Sequence, residues 1–248
     1  MLAGFYTIAS GMLTRQRELD VIGNNLVNVQ TPGYRADRVV TSAFEQQLLT
    51  RREAYQSGTV GNGVAATSAT VDEVLSLFQG GTIKQTGRAY DVAIGGEGFF
   101  QIQAEGGGQY MTRNGQFDID EEGYLILPGY GRVLGDGGEI QVGEAGFEVA
   151  PTGEIYDAQG QQLGKLKITV PPEDTRPVKL DNGMFELAEG EDAQDFVLSQ
   201  GSLELSNVDM NQELTTLIEV QRAFQNCSAA LQIVDTMNRK AASQLASL

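Results

Sequence analysis

The chain has 248 residues, 41% of them hydrophobic, which is enough to bury the core of one large domain or two modest ones. Its formal net charge of −16 argues against nucleic acid, because phosphate binding needs clustered cations, and equally against an anionic membrane surface. The chain has no histidine and a single cysteine, Cys227, so it can form no internal disulfide, and we interpret Cys227 as a small buried apolar side chain.

The charge and the glycines are unevenly distributed along the chain. Residues 1–40 carry four basic and three acidic side chains, and residues 205–248 carry three basic and four acidic ones. The two ends are therefore neutral together, and the whole charge of −16 lies in residues 41–204 with 27 of the 31 glycines. This division predicts two terminal segments of one character around a middle of another.

Apolar residues at alternating steps of three and four predict an amphipathic helix with coiled-coil spacing over residues 5–29. The helix is expected to end near the Thr-Pro-Gly of residues 31–33, because proline disfavours helix in the residue before it and glycine permits a turn. Arg15 interrupts the apolar stripe and has Glu219 and Asp235 as candidate partners. The members of this N-terminal seam are Phe5, Ile8, Met12, Leu19, Ile22, Leu26 and Val29.

The middle of the chain has a different periodicity. TSAFEQQLLTRRE (41–53) is compatible with a helical extension, whereas SGTVGNGVAATSAT (57–70) is typical of an extended connector. Short β-rich segments broken by glycine-containing turns then predict an antiparallel β domain. Asn114 and Gly115 form the Asn-Gly pair that is favoured in tight hairpins. The predicted strand segments are DVAIGGEGFFQIQ (91–103), QYMTRNGQFDID (109–120), GYLILPG (123–129), KLKITV (165–170) and DFVLSQ (195–200).

The C-terminal end repeats the helical pattern. Asp209 is a plausible N-cap, with Gln212 three residues later, for a helix over 210–245 that contains neither glycine nor proline. Asn238 is the one polar insertion in its apolar stripe. The members of this C-terminal seam are Leu217, Val220, Phe224, Cys227, Leu231, Val234, Ala241, Leu245 and Leu248.

These patterns predict an α+β protein in which paired N- and C-terminal helices form a coiled-coil-like assembly domain that flanks a central antiparallel β domain. Residues 1–40 and 205–248 would form the discontinuous helical domain, 41–80 a linker or extended connector, and 81–204 the β-rich domain. A lone amphipathic helix is marginal in water, and two helices make a thin bundle, so much of each stripe would stay exposed. An exposed apolar stripe of that size usually marks an association surface.

Three stretches resemble bacterial flagellar axial proteins in the order in which that family carries them. ASGMLTRQRELDVIGNNLVNVQTPGYRAD (9–37) is similar to the N-terminal signature of rod, hook and hook-associated subunits. YDVAIGGEGFFQIQ (90–103) resembles the strand that enters the family's β domain, and SNVDMNQELTTLIEVQRAFQNCSAALQIVDTM (206–237) resembles its C-terminal helix. By length the chain resembles the flagellar basal-body rod proteins of the distal-rod or proximal-rod type, since the related hook subunits carry larger outer insertions.

The resemblance implies a structural subunit of the rod, the axial drive-shaft of the flagellar basal body, and no enzyme activity. It also implies a homo-oligomeric helical tube built from the terminal helices, other rod and hook proteins as partners, and export by the flagellar type III apparatus. Neither nucleic-acid binding nor membrane insertion is expected, and no cofactor or metal. The rod segment stays open.

The amides near the end of the first helix are candidates for fixing the register between subunits, as a buried Asn does in coiled coils. The expected assembly interface combines these amides with residues of both seams. Its members are Met12, Leu19, Ile22, Asn24, Asn25, Leu26, Asn28, Val29, Leu217, Val220, Phe224, Leu231 and Val234.

Other functional interpretations are weaker. GGEGFF (95–100) lacks the strand–loop–helix context and the lysine of a phosphate-binding loop. The acidic stretch that starts at Asp118 resembles a calcium loop, but its twelfth position is Gly129, where a bidentate Glu is needed, so a solvated hairpin is preferred. Three alternatives remain: a monomer with an intramolecular helical hairpin, a hook-type subunit, and an exported adhesin or binding module that uses the β domain.

Overall fold

A computed structural model describes residues 2–43, 47–50, 62–65, 69–104, 106–143, 146–172, 177–180, 182–186 and 190–245 of the chain. These residues form an α+β fold, as the sequence predicts. The first helix, α1, spans Leu2–Val27, and the last, α2, spans Met210–Leu245. At 1.5 Å per residue, α2 is about 54 Å long.

Local chemistry accounts for the end of α1 and for the start of α2. The turn that follows α1 is closed by two bonds from Thr31 to Asn28: the amide N–H donates to the carbonyl oxygen at 3.1 Å, and Oγ1 donates to Oδ1 at 3.1 Å. Pro32 follows and cannot continue a helix. The helix α2 starts directly after Asp209, a residue type preferred at N-caps, and its first turn carries Glu213, which suits the positive end of the helix dipole.

Twenty strands lie between the helices in the described part of the chain, and every strand pair for which a register is resolved is antiparallel. Their bounds, in chain order, are β1 Asp37–Ala43, β2 Gln47–Thr50, β3 Asn62–Ala65, β4 Ala69–Ser76, β5 Ile83–Gln85, β6 Val92–Gly96, β7 Phe99–Gln103, β8 Gln109–Thr112, β9 Asp118–Ile119, β10 Leu125–Leu127, β11 Gly131–Gly135, β12 Gly138–Glu139, β13 Phe147–Val149, β14 Glu154–Asp157, β15 Gln162–Lys165, β16 Ile168–Val170, β17 Phe185–Glu186, β18 Glu191–Asp192, β19 Phe196–Gln200 and β20 Ser202–Glu204.

The chain divides into two compact units. Unit 1 consists of residues 1–26, 37–75 and 210–248, and therefore contains nearly all of α1, the strands β1 to β3, most of β4, and α2. Unit 2 consists of residues 27–36 and 76–209, and contains the strands from β5 onward. Unit 2 carries 23 acidic and nine basic side chains, so its formal charge is −14 and that of unit 1 is −2.

The main sheet of unit 2 has nine strands among the described residues. Six of them lie side by side in the order β17-β8-β7-β11-β10-β9, while β12 pairs with β11, β16 pairs with β7, and β18 pairs with β16. The register places Phe100 opposite Thr112 and Ile102 opposite Tyr110. Smaller sheets are formed by β13-β14-β15, by β6 with β19, and by β5 with β20.

Alternation along β7 gives the main sheet two buried faces. Phe100 and Ile102 are fully buried in the principal core, which also takes Phe117 from the loop after β8. On the other face, Phe99 packs with Met111 and Phe185. Because successive side chains on a strand point to opposite faces, the run FFQIQ places apolar residues on both sides.

Two local expectations were wrong. The described residues of TSAFEQQLLTRRE (41–53) are extended and belong to β1 and β2, with 44–46 and 51–53 outside the described residues. The pair Asn114-Gly115 closes no hairpin, since β8 pairs with β7 and β17 and not with β9. Gly115 instead lets the backbone approach that of Val92 closely, because a Cβ at this position would lie 1.7 Å from the carbonyl oxygen of Val92.

Candidate assembly surfaces and a buried triad

The residues predicted to form the assembly interface lie along α1, α2 and the turn after α1, with unequal exposure. Ile22, Asn25 and Val220 are buried, and Asn24 is exposed. The other members are half-buried: Met12, Leu19, Leu26, Asn28, Val29, Leu217, Phe224, Leu231 and Val234. The predicted seam is thus the less exposed side of α2.

A second set of apolar side chains on the helices is more exposed, and the heptad analysis did not include most of it. Leu13 is 67% exposed and Val27 81%, while Ile218, Ile233 and Met237 are 51%, 56% and 61% exposed. Phe5, Tyr6, Met210 and Leu214 belong to the same set. Exposed apolar surface on this scale marks an interaction site in a soluble protein.

The exposed apolar residues of α2 form two pairs with i, i+4 spacing. Leu214 and Ile218 lie in the first half of the helix, and Ile233 and Met237 in the second. At 100° per residue, the first pair lies about 110° to one side of the seam and the second pair about 110° to the other side. The helix therefore presents apolar surface in three directions.

Asn25, a member of the predicted interface, and Arg15, which interrupts the apolar stripe, both have partners within unit 1. The side chain of Asn25, which is 1% exposed, donates to the carbonyl oxygen of Asp37 at 2.9 Å and accepts from its amide N–H at 2.9 Å. These reciprocal bonds tie the end of α1 to the first residue of β1. Arg15 pairs with Glu18 at 2.6 Å, so the expected pairing with Glu219 or Asp235 is wrong. Residues three apart meet on one helix face, which makes the local partner the easier one.

Two buried arginines and one buried glutamate form a triad, which we call the buried triad. Arg35 Nη1 donates to Glu204 Oε1 at 2.6 Å, and Arg113 Nη1 lies 3.3 Å from Glu204 Oε2. The three side chains are 1%, 6% and 2% exposed for Arg35, Arg113 and Glu204. The sequence analysis missed this site, although Glu204 stands between two leucines in a short strand, which is a signal of a paired buried charge.

Arg35 and Glu204 connect three segments that lie next to the boundaries of unit 2. Arg35 Nη1 also donates to the carbonyl oxygen of Gln79 at 2.9 Å, and the amide N–H of Gly81 donates to Glu204 Oε1 at 2.7 Å. Nearby, the side chain of Asn207 accepts from the amide of Ala36 at 2.7 Å and donates to the carbonyl oxygens of Leu77 and Gln79 at 3.0 Å. We call residues 33–36, 76–81 and 202–209 the exit segments.

Arg113 connects the buried triad to the strands β6 and β7. Its guanidinium donates to the carbonyl oxygens of Ile94 at 3.1 Å and Gly96 at 2.7 Å, and it lies over the ring of Phe99. Burial lowers the pKa of Arg113 to about 10, because the loss of hydration outweighs the attraction of Glu204. The second cation, Arg35, acts in the same direction as burial.

The first exit segment is held by backbone contact as well as by charge. Gly33 has a φ of 68°, and its amide N–H donates to the carbonyl oxygen of Glu204 at 2.8 Å. A Cβ at Gly33 would lie 2.3 Å from the carbonyl carbon of Arg113, so only glycine fits. The Lys179 ammonium lies 3.8 Å from the ring centre of Tyr34 and donates to the carbonyl oxygen of Arg35 at 2.6 Å.

The two features described above are exposed apolar surface on the helices and a buried network of charges in unit 2. Among the described residues, no group of three or more His, Cys, Asp or Glu side chains is arranged to hold a metal ion. Neither described helix combines the length and the hydropathy that crossing a bilayer requires. The exposed apolar surface of the helices suits a protein that acts by assembly.

Comparison with known proteins identifies the family. Residues 5–35 match the family described as flagella basal body rod protein, 93–145 the flagellar hook protein FlgE/F/G D1 domain, and 199–245 the flagellar basal body rod FlgEFG protein C-terminal region. The flagellar basal-body rod protein FlgG of Bacillus subtilis is 32% identical over 258 residues, which cover 95% of this chain and 96% of the relative. This chain belongs to the flagellar basal-body rod proteins.

Two further relatives support the same family. The flagellar basal-body rod protein FlgF of Caulobacter vibrioides is 30% identical over 97% of this chain and 96% of its own length. The flagellar hook-basal body complex protein FlhO of Bacillus subtilis is 28% identical over 99% of each chain. Rod proteins are structural, non-enzymatic components of the flagellar basal body, which confirms the function, class and location expected from the sequence. The hook-type and adhesin alternatives are not favoured.

Proposed function

We propose that this rod protein polymerises through α1 and α2 into the helical axial tube of the flagellar rod. Unit 2, with its formal charge of −14, would form the solvated part of each subunit. Residues 1–40 and 205–248 would supply the assembly domain, and the predicted interface residues that remain half-buried in the monomer would complete their burial between subunits.

The exposed apolar surface of the helices carries this proposal. A helix with apolar residues on one side has one partner, whereas α2 has a seam and two flanking pairs in three directions. Such a helix is typical of a position that contacts other helices on several sides, as in a tube wall. Asn25 is buried and bonded to Asp37, whereas the neighbouring Asn24 on α1 is exposed.

Family membership implies assembly with other flagellar basal-body proteins. We extend this to contacts between identical copies and to export by the flagellar type III apparatus, which passes its substrates unfolded. Much of the apolar surface of α1 and α2 is exposed in the single chain. We therefore also expect these helices to be largely disordered in the dilute monomer and to fold when neighbouring subunits supply apolar partners.

Substitutions at exposed positions test the proposal without disturbing the interior. Ile218→Asp and Ile233→Asp place a carboxylate on opposite flanks of the seam, where the wild-type side chains are 51% and 56% exposed. Burying an unpaired carboxylate between subunits costs far more than the ~1.4 kcal/mol that corresponds to tenfold, so incorporation should fall at least about tenfold. Incorporation is measured as the amount of the protein in basal bodies purified from a complemented deletion strain.

A control variant comes from the same helix. Ala229→Asp introduces the same carboxylate on the side opposite the seam, at an exposed position, and should incorporate as the wild type does. Tyrosine fluorescence should be unchanged in all three variants, because the structure of unit 2 is not affected. Normal incorporation of both flank variants would contradict the proposal.

A further inference from the structure

The buried triad lies where the chain enters and leaves unit 2. The chain crosses between the two units after residues 26, 36, 75 and 209, and the three exit segments border the last three of these boundaries. Arg35, Glu204 and Asn207 join the exit segments to one another, through bonds of 2.6 to 3.0 Å. Arg113 joins that group to β6 and to the loop after β8.

The charges of the triad are costly to bury. Two guanidiniums share one carboxylate, and the Nε atoms of Arg35 and Arg113 are buried without a hydrogen-bond partner. Burial and the neighbouring charge of Arg35 together lower the pKa of Arg113, despite the attraction of Glu204. Apolar replacement of buried ion pairs is often neutral or stabilising, so stability alone does not account for a second buried cation.

The fixed geometry of the guanidinium does account for this second buried cation. A guanidinium is a planar fork whose donors have fixed geometry, so it defines the relative positions of the groups that it contacts. Arg113 contacts two carbonyl oxygens of β6, the carboxylate of Glu204 in β20, and the ring of Phe99 in β7. An apolar side chain of similar length could fill the space, but it could not fix the exit segments relative to β6.

We infer that the buried triad is a positioning device for assembly, which fixes the direction in which the chain leaves unit 2 at residues 36, 76 and 209, and that Arg113 is its anchor on the β structure. Neighbouring subunits can pack regularly only if the chain of every copy leaves unit 2 in the same direction, toward β1 and β4 at residues 36 and 76 and toward α2 at residue 209. This inference rests on the proposed assembly through α1 and α2.

The variant Arg113→Met separates positioning from stability. Met keeps most of the side-chain volume and removes the second buried cation, so the melting temperature of unit 2 should stay within about 4 °C of the wild type. Incorporation into basal bodies should fall at least tenfold, and the amides of Ala36 and Leu77 should exchange faster while those of β7 remain protected. Ala36 and Leu77 report on the exit segments because their N–H groups bond to Asn207 and to Ala36.

Arg132→Met is the matched control. Arg132 bonds three carboxylates and lies over the ring of Tyr124, yet it is 30% exposed and takes no part in the exit segments. The variant Arg132→Met should therefore incorporate as the wild type does. The inference is overturned if Arg113→Met incorporates as the wild type does, if both variants fail equally, or if Arg113→Met unfolds β7. Failure of the proposed function would look different, since Ile218→Asp and Ile233→Asp would then incorporate as the wild type does.

Discussion

Glu204 is the one acidic member of the buried triad, and its neutralisation should destabilise unit 2 strongly. In Glu204→Gln the shape is kept, and the new side chain can still accept the bond from the amide of Gly81. Arg35 and Arg113 keep their bonds to backbone carbonyl oxygens. The change therefore removes little except the negative charge between two cations that are 1% and 6% exposed.

The size of the effect follows from that burial. Removing one partner of a buried ion pair costs about 3–5 kcal/mol, because the remaining charge stays uncompensated in a poorly hydrated site. Here two like charges remain, which places the expected loss toward the upper end of that range. Since folded domains are stable by about 5–15 kcal/mol, a loss of this size is a large share of the total.

Urea unfolding followed by tyrosine fluorescence measures the loss. The chain has no tryptophan, and six of its eight tyrosines lie in unit 2, so the signal reports mainly on that unit. Glu139→Gln is the control, because Glu139 pairs with Arg132 at 2.8 Å with both side chains about a third exposed, and such pairs contribute about 0–1 kcal/mol. If Glu204→Gln cost no more than Glu139→Gln, the assignment of the triad as a buried, mutually dependent site would be refuted.

Two further predictions concern the first exit segment and the free monomer. Gly33→Ala should lower the free energy of unfolding by more than about 2 kcal/mol, because the added Cβ meets the backbone of Arg113. The control Gly87→Ala, at a φ of 76° in open space, should cost only about 1 kcal/mol of backbone strain. Equal losses in the two variants would refute the close approach at Gly33. In hydrogen exchange of the dilute monomer, the amides of residues 5–29 should exchange fast while those of β7 stay protected, and full protection of 5–29 would contradict coupled folding and assembly.

Local signals in the sequence predicted the helices and many of the strands. The helix over 5–29 is α1 with its end two residues earlier, and the helix over 210–245 is α2. Both depend on periodicity and on nearby Pro, Gly and Asp residues, which act within a few positions. The β-rich composition of the run 91–103, broken by glycines, likewise predicted β6 and β7, which are separated by Glu97 and Gly98.

Long-range features could not be predicted in the same way. Arg35 and Glu204 are 169 residues apart in the chain, and the local sequence around each residue does not indicate that the other is its partner. The Asn-Gly pair at 114–115 misled for a related reason, since the position is set by Val92 and not by a turn type. The flanking apolar pairs of α2 were visible in the sequence, but a search for one seam passes over residues that lie about 110° from it.

Electron microscopy of basal bodies from a strain that lacks this protein tests the central claim most directly. The account predicts structures that end partway along the rod and carry no hook, because later axial subunits would have no rod end on which to assemble. The wild-type gene should restore complete rods, and the variant Ile218→Asp should not. Complete rods with normal hooks in the deletion strain would contradict an axial role for this chain.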